Sequence, residues 1–289
     1  MMRVWPVLLA CAIIACWDPL HAQPNSARPA KLPAYGSNAD AGGFAAVNDI
    51  KLYYESYGTG QPMLLIHGND GRIADLTHQI THFAKSNRVI VADSRGHGKS
   101  DFGSVPLRYT LMADDLNALL EHLSLKTVHV VGFSDGGILG LLLAIHHPDK
   151  VAKLIATGAN LEPKGAYDWA LRWAERQVAG VDRQIASGNK SAELPKARQK
   201  LNLLLKEPNI PINDLKKISA PTLIVAGDKD VIRAEHTLKI FQALPSAHLA
   251  VLPGTTHFAP EERSDLFFEI AARFLTEPFS RPQSSDIFR

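Results

Sequence analysis

The chain has 289 residues, 46% of them hydrophobic, which is enough for one large domain or for one domain that carries an insertion. The formal net charge is +2, from 31 basic and 29 acidic residues, and no run of like charge stands out. This balance gives no reason to expect nucleic acid or an acidic surface as a partner.

The first 22 residues are predicted to form a signal peptide. Arg3 is the only charged residue before Asp18, and the apolar run VWPVLLACAIIACW between them is too short to span a bilayer comfortably. Cleavage after Ala22, within LHAQP, would suit a signal peptidase. Both cysteines lie in the run, so the mature chain would have no disulfide and no catalytic thiol. We therefore expect export, to the periplasm or as a secreted protein.

Two alternatives remain open for this segment. The sequence IIAC ends at Cys16 and is similar to a lipoprotein signal, in which case Cys16 would become the lipidated first residue. Without that lipid we expect no membrane partner. The other alternative is an ordinary buried helix. Residues 23–41 are rich in Pro, Ala, Ser and Asn and indicate a flexible leader.

The folded domain is expected at residues 42–276, beginning with GFAAV and IKLYYESYG as a hairpin joined at Asn48 and Asp49. Buried strands are then predicted, in chain order, in MLLIHG, RVIVADSRGHGKS, TVHVVGF, VAKLIATG, PTLIVAGDKD and AHLAVLPGTTH. Helices are predicted between them, at 74–84, in YTLMADDLNALLEHL with Thr110 as its cap, at 136–146, at 235–243 and at 262–275.

Strands that alternate with helices in this way indicate the α/β class with a mostly parallel central sheet flanked by helices. Residues 160–217 interrupt the alternation once, because this segment is charged and helical with no strand signal. We interpret it as a short helical lid inserted between two strands. Residues 277–289 are predicted to be a loose tail.

The segment HVVGFSDGGILG carries one serine between glycines, where a strand is predicted to become a helix. A serine hydroxyl is a poor nucleophile unless a base removes its proton, and a sharp turn would expose Ser134 to such a base. Such a turn crowds the backbone, so Gly132 and Gly136 fit the positions two before and two after the serine. The N–H groups that follow would lie at a helix start, where they can stabilise an oxyanion.

His257 is the best candidate for the base among the 12 histidines. It follows the last predicted strand in the small-residue loop PGTTHF, at the edge of the sheet where βα loops build sites. The acid that orients the histidine is expected in the loop AGDKDVI after the preceding strand. Asp228 and Asp230 both lie there, and the residues alone do not choose between them.

From about Phe44 to Leu275 the chain resembles the α/β-hydrolase superfamily. The motifs that carry the resemblance are LLIHGND, VADSRGHGKSD, VGFSDGG, LIVAGDKD and PGTTHF. It implies an α/β-hydrolase fold, a Ser134–His257–Asp230 triad with Asp228 in a supporting role, and no cofactor. It also implies an oxyanion hole formed by the N–H groups of Asn69 and Asp135.

Other histidines are assigned structural roles. His97 in RGHG is expected to be structural, and His67 is expected to brace the oxyanion loop. His78 and His82 lie four apart, as in some zinc sites, but HQITH lacks the glutamate of a metalloprotease, so no metal is expected.

Five side chains are candidates for substrate binding. Tyr167, Trp169 and Trp173 either line a substrate pocket or dock the lid on the core. Asp135 either caps the helix that follows it or, with Asp70, recognises a protonated amine on the substrate. The Ser-Asp-Gly-Gly elbow is similar to that of α/β-hydrolases that cleave amino-acid esters.

The leading interpretation is a serine hydrolase acting on a small-molecule carboxylic ester or lactone through an acyl-enzyme. The alternatives are an amide or aminopeptidase-type hydrolase, a cofactor-free haloperoxidase, and a carbon–carbon bond hydrolase. Epoxide and haloalkane hydrolases use an aspartate nucleophile, and Ser134 argues against them. A non-catalytic binding protein with the same fold is the alternative from another class, and the complete triad argues against it.

Overall fold

A twisted sheet of eight strands with helices on both faces forms the centre of the computed structural model, which describes residues 33–288. The predicted signal peptide with Cys11 and Cys16, and the leader up to residue 32, lie outside the described residues. The remaining part of the leader, residues 33–41, contains turns and no strand or helix. The predicted α/β class with a mostly parallel sheet is confirmed.

The strands are short and mostly apolar. In chain order they are β1 (Gly42–Val47), β2 (Ile50–Tyr57), β3 (Gln61–Ile66), β4 (Asn87–Ala92), β5 (Val128–Phe133), β6 (Val151–Thr157), β7 (Thr222–Gly227) and β8 (Ala247–Leu252). The central strands are apolar on both sides because helices cover both faces of the sheet. Asn48 in the β1–β2 turn has a φ of 46°, a conformation that asparagine tolerates better than most residues.

The order of strands across the sheet is β1-β2-β4-β3-β5-β6-β7-β8. The β1–β2 and β2–β4 pairs are antiparallel, and the other five pairs are parallel. After β3 the chain adds β4 on one side and β5 on the other. The sheet therefore has a switch point between β3 and β5, the place where α/β sheets commonly bind ligands.

In the part of the chain that the structure describes, eight α-helices connect and flank the strands. They are α1 (Thr77–Phe83), α2 (Tyr109–His122), α3 (Asp135–His146), α4 (Asp168–Ala186), α5 (Glu193–Lys206), α6 (Ala234–Ala243), α7 (Ala259–Glu262) and α8 (Ser264–Thr276). Helices α2, α3 and α6 cover one face of the sheet, and their apolar residues form the larger core cluster. Helices α1 and α8 cover the other face and form the second cluster.

Three predicted helix boundaries differ from the structure. The helix expected at 74–84 begins as a 3₁₀ turn, Ile73–Leu76, and becomes α-helical only at Thr77. Thr110 is not a cap, because it lies inside α2, which begins at Tyr109 with Arg108 at the N-cap position. The last helix is divided at Arg263 into α7 and α8.

Residues 160–217, hereafter the insertion, follow β6 and precede β7 in the chain. They contain α4 and α5, which pack against each other. An isolated bridge between Ala166 and Ile232 ties the start of the insertion to the segment after β7. Within the described residues no helix is both long and apolar enough to cross a membrane.

The C-terminal segment differs from the expected loose tail. The Phe279 ring lies 4.7 Å from the His248 ring, and the Arg281 guanidinium donates a 2.9 Å hydrogen bond to the Pro245 carbonyl. The Lys153 ammonium donates to the Glu277 carbonyl at 2.7 Å. The first residues after α8 are therefore held against the end of the sheet.

The glycine-rich loop after β4 is fixed by a buried ion pair. Arg95 is fully buried and donates from Nε to Asp115 Oδ2 at 2.6 Å and from Nη1 to Asp49 Oδ1 at 2.7 Å. These bonds join the loop to α2 and to the β1–β2 turn. A buried guanidinium needs such partners, because an unpaired charge in the interior is costly.

Candidate active site

The candidate site lies where the carboxyl ends of the parallel strands meet. Strands β3 and β5 are neighbours, with Ile66 paired with Gly132, so residues 67–71 and Ser134 emerge side by side. Strands β7 and β8 are also neighbours, with Gly227 paired with Leu252, and they lead to Asp230 and His257. Parallel pairing thus brings together segments that lie far apart in the sequence.

Ser134 occupies a strained turn between β5 and α3, with φ 54° and ψ −118°. Such a backbone conformation is unusual for a residue with a side chain, and it aims the hydroxyl away from the sheet. A Cβ atom on Gly132 would collide with the Gly136 carbonyl oxygen, and one on Gly136 would collide with the Ile66 carbonyl oxygen. Both glycines are therefore required for the turn, as their positions in the sequence predict.

Ser134, His257 and Asp230 form one hydrogen-bonded chain. His257 Nδ1 lies 2.7 Å from Asp230 Oδ1, and His257 Nε2 lies 2.9 Å from Ser134 Oγ. An ionised carboxylate can only accept, so the ring proton is assigned to Nδ1, and Nε2 is then free to accept the serine proton. This is the arrangement that a nucleophile, a base and an orienting acid need.

The structure divides the two aspartates of the β7 loop between different tasks. Asp230 is buried, and its Oδ1 also accepts from the Ile232 N–H at 3.0 Å. Asp228 faces away from the histidine ring and accepts from the N–H groups of Gly254 and Thr255, at 3.1 and 3.2 Å. Asp228 therefore holds the loop that carries His257, while Asp230 holds its imidazole.

Two residues that contact His257 or Ser134 were not identified from the sequence. Gly158 follows β6 with φ 64°, and a Cβ atom there would lie 2.6 Å from His257 Cε1. The neighbouring Thr157 carbonyl accepts the Ser134 N–H at 2.8 Å. A glycine directly after an apolar strand was the available signal for this close approach.

The two segments of the predicted oxyanion hole lie next to Ser134. Asp135 is the first residue of α3, so its N–H has no acceptor within the helix. Gly68 packs on the serine from the other side, since a Cβ atom on Gly68 would lie 3.2 Å from Ser134 Cβ. Asn69 follows Gly68 in this segment, residues 67–71, hereafter the 67–71 loop.

The Asp135 carboxylate does not cap α3, which corrects that sequence-based alternative. The side chain is 3% exposed and accepts a 2.8 Å hydrogen bond from Asn69 Nδ2, and no bond to the N–H groups of α3 is formed. No ion pair joins it to a basic side chain in residues 33–288. Burial raises the pKa of Asp135 to about 6, although Asn69 and the neighbouring Tyr109 hydroxyl favour the ionised form.

Tyr109 is a further buried neighbour of Asp135 that the sequence did not single out. Its hydroxyl makes no well-aligned hydrogen bond, yet it lies close enough to the carboxylate to influence its ionisation. Burial, followed by the charge of Asp135, raises the pKa of Tyr109 well above its ordinary value. The hydroxyl therefore remains protonated at neutral pH.

Asp70, the second candidate for recognising an amine, already has a cationic partner. Its carboxylate is 75% exposed and forms an ion pair with Lys200 Nζ from α5 of the insertion. The structure therefore does not bring Asp70 to Asp135 as a second free carboxylate. Lys200 was not identified from the sequence, where it is one of 31 basic residues without a distinguishing motif.

His67 and His97 lie behind the 67–71 loop. His67 Nδ1 lies 2.7 Å from the Gly68 carbonyl, and its Nε2 accepts the Ser94 N–H at 3.0 Å. His97 is buried with Nδ1 2.9 Å from the Arg95 carbonyl, and burial lowers its pKa to about 3. Both rings are therefore neutral and connect the loops after β3 and β4.

The three aromatic candidates do not form one group. Tyr167 lies under the Arg233 guanidinium, 4.8 Å from ring centroid to Cζ, next to the segment that carries Asp230. Trp169 and Trp173 on α4 are 54% and 47% exposed. Each indole is therefore about half buried, and both its assignment to a substrate pocket and its role in docking the insertion stay predictions.

His82 stacks on the Phe268 ring, with centroids 3.9 Å apart, so it packs α1 against α8. Among residues 33–288, no group of three or more His, Cys, Asp or Glu side chains is arranged to hold a metal ion.

Several hydrolases are similar to this chain in sequence or structure. A family model described as the alpha/beta hydrolase fold matches residues 61–214. The chain is 26% identical to a putative carbamate hydrolase of Azorhizobium caulinodans, over 81% of this chain and 98% of that protein. It is 27% identical to a human serine hydrolase, over 80% of this chain and 84% of that protein. An esterase structure from Exiguobacterium antarcticum superposes with a TM-score of 0.71 at 25% identity, over 82% of this chain and all of that one.

The buried Asp135 carboxylate should lower stability as the pH rises. Its pKa is raised from 3.8 to about 6 in the folded state, so the folded protein binds the proton more tightly than the unfolded chain. The wild type therefore loses the stability that the protonated Asp135 contributes as the pH rises through these two pKa values. Asp135→Asn has no carboxyl group to ionise and avoids that loss. We expect the stability advantage of the variant to grow by about 2 kcal/mol from about pH 4.5 to about pH 7.5.

Urea unfolding of both proteins at the two pH values measures this difference. Asp40→Asn, at an exposed position, is the matched control and should show no such growth. An advantage of Asp135→Asn that is equal at both pH values would contradict the assignment.

Proposed function

This chain belongs to the α/β-hydrolase fold family, and we propose that it is a serine hydrolase that cleaves a carboxylic ester or lactone through an acyl-enzyme. The observation that carries the proposal is the chain of hydrogen bonds from Ser134 through His257 to Asp230, at 2.9 and 2.7 Å. A binding protein would have no need of a strained serine within hydrogen-bonding distance of a base.

In the first half of the reaction His257 Nε2 takes the proton of Ser134 Oγ as the oxygen attacks the substrate carbonyl. The N–H groups of Asn69 and Asp135 donate to the negative oxygen of the tetrahedral intermediate. Asp230 stabilises the imidazolium and keeps the ring in the required orientation. The imidazolium then protonates the leaving alcohol, and the acyl group stays on Ser134.

In the second half water replaces the alcohol. His257 removes a proton from the water, which attacks the acyl carbon, and the same N–H groups stabilise the second tetrahedral intermediate. Release of the carboxylic acid restores Ser134. In a lactone the leaving alcohol remains attached to the acyl group, so one hydroxy acid is the product. The mechanism uses no cofactor.

Asp135 gives a reason to expect substrates that carry a protonated amine. A carboxylate next to the oxyanion hole opposes the charge that develops in the transition state, and it has no basic partner among the described residues. An ammonium group on the acyl part of the substrate would neutralise it. Because Asp70 pairs with Lys200, Asp135 alone is assigned this task.

A second candidate is hydrolysis of a carbamate or amide. It is favoured by the similarity to the putative carbamate hydrolase of Azorhizobium caulinodans along most of both chains. The same triad would serve, with an amine as the leaving group. A panel of chromogenic esters, lactones, carbamates and amino-acid amides distinguishes the two by comparing kcat/KM.

The triad predicts the effect of four substitutions. Ser134→Ala and His257→Ala should each lower kcat on p-nitrophenyl esters on the order of 10³-fold or more, since each removes a group that acts in the transition state. Asp230→Asn should cost far more activity than Asp228→Asn, because of these two aspartates it is Asp230 that bonds to the histidine ring. Steady-state kinetics of the four variants measures these losses.

Labelling with a fluorophosphonate probe provides the control. The wild type should react and Ser134→Ala should not, while circular dichroism shows that both are folded. Near-normal turnover by a folded Ser134→Ala protein would refute the mechanism, and a greater loss in Asp228→Asn would reverse the roles of the two aspartates.

The assignment of Asp135 predicts a preference that one substitution removes. The wild type should have a higher kcat/KM for an α-aminoacyl ester than for the matched acyl ester without the amine. Asp135→Asn should reduce this ratio toward one, because the ammonium group loses its counter-ion. An equal loss for both esters, or no loss for either, would show that Asp135 does not bind the amine.

We also propose that the protein is exported, on the grounds of the charged start and the apolar run that precede Ala22. The intact mass of protein recovered from the native cell envelope should correspond to a chain that begins at Gln23. A mass that includes Met1 would refute export, and a diacylglycerol adduct on Cys16 would favour the lipoprotein alternative.

A further inference from the structure

The side-chain amide of Asn69 joins three parts of the molecule. One hydrogen of Nδ2 goes to Asp135 Oδ2 at 2.8 Å, and the other goes to the Lys200 carbonyl on α5 at 3.1 Å. Both donors of this amide are therefore used. The residue that offers its backbone N–H to the oxyanion is thus tied through its side chain to the elbow and to the insertion.

Lys200 also holds the residue after Asn69. Its ammonium group pairs with the Asp70 carboxylate, and the lysine side chain is only 18% exposed. Asp70 has a φ of 55°, and the Gly71 N–H donates to the Gly68 carbonyl at 3.1 Å, so the 67–71 loop is a tight turn with Asp70 in the left-handed region. A left-handed conformation is unfavourable for an aspartate, so other contacts must stabilise it.

The position of α5 does not depend on the Lys200 ammonium. Gln199 Oε1 accepts the Leu107 N–H at 3.0 Å, and Glu207 Oε2 accepts the Tyr109 N–H at 2.8 Å. These bonds attach the middle of α5 to Leu107, and the residue that follows α5 to the first residue of α2. Loss of the ammonium group would therefore loosen Asp70 in the 67–71 loop, while the helix and its backbone bond to Asn69 stay in place.

We propose that Lys200 is a positioning residue for the hydrolytic reaction: through Asp70 it fixes the 67–71 loop so that the Asn69 N–H points at the oxyanion. This inference rests on the proposed serine hydrolase function. It assigns the insertion a part in the chemical step, in addition to any contact with substrate. An N–H group that is correctly aimed stabilises the transition state more than the bound substrate, so its displacement lowers kcat rather than raising KM.

The test compares Lys200→Met, Asp70→Asn and the double variant on p-nitrophenyl butyrate, with active sites counted by complete fluorophosphonate labelling. Loss of one oxyanion donor costs about 10²- to 10³-fold, and a loosened donor should cost less, so we expect a fall in kcat of about 10-fold with KM changed less than about twofold. The double variant should lose no more than either single variant, because the two changes break one interaction.

Two further variants distinguish positioning from a general effect of charge on α5. Lys200→Arg should retain most of the kcat, since it keeps the cation. Lys196→Met, one turn earlier on the same helix, removes a lysine whose one ion pair among residues 33–288 is with Glu193, and it should leave kcat unchanged.

A kcat for Lys200→Met within twofold of the wild type, an equal loss in Lys196→Met, or additive losses in the double variant would each overturn the inference. These three outcomes would leave the proposed function intact, because the wild type would still hydrolyse the ester. A wild type that neither hydrolyses any ester nor reacts with the probe would overturn the proposed function, and the role of Lys200 with it.

Discussion

The geometry of the candidate site depends on the close contact of backbones at Ser134. The turn exists because Gly132 passes against the Gly136 carbonyl and Gly136 passes against the end of β3. Once β3, β5 and the start of α3 are in contact there, the serine hydroxyl faces the loop that follows β8. Strands β7 and β8 pair in parallel, so the loops that follow them place Asp230 and His257 next to the serine hydroxyl.

The same contact has an electrostatic cost. The close packing around Ser134 buries the side chain that follows the serine, and in this chain that side chain is a carboxylate. Asn69 compensates in part, with a hydrogen bond but without a charge. A sequence selected for stability alone would not place a buried carboxylate at this position. Strained or poorly compensated residues are most often found where function requires them.

Most of the fold could be predicted from the sequence, because apolar strands and amphipathic helices alternate with clear periods. Ser134 and His257 could be singled out as well, since each follows a strand end, whereas the choice of Asp230 over Asp228 came only from the resemblance to the α/β-hydrolase superfamily. Helix starts such as Arg108 were missed, since no capping side chain marks them. The orientation of Asp135 and the partner of Asp70 could not be predicted, because both depend on contacts between segments more than 60 residues apart.

The insertion leaves the domain after Gly158, which touches the histidine ring, and returns at β7, which leads to the acid. Its two ends are therefore fixed beside the candidate site, while α4 and α5 between them pack against each other. Transfer of α4 and α5 to a relative would carry Lys200 with them. The recipient would also need an asparagine and an aspartate in the loop after β3, because otherwise a transplanted α5 would find no partners for its lysine. Chimeras in this family should therefore be built with the two segments transferred as a pair.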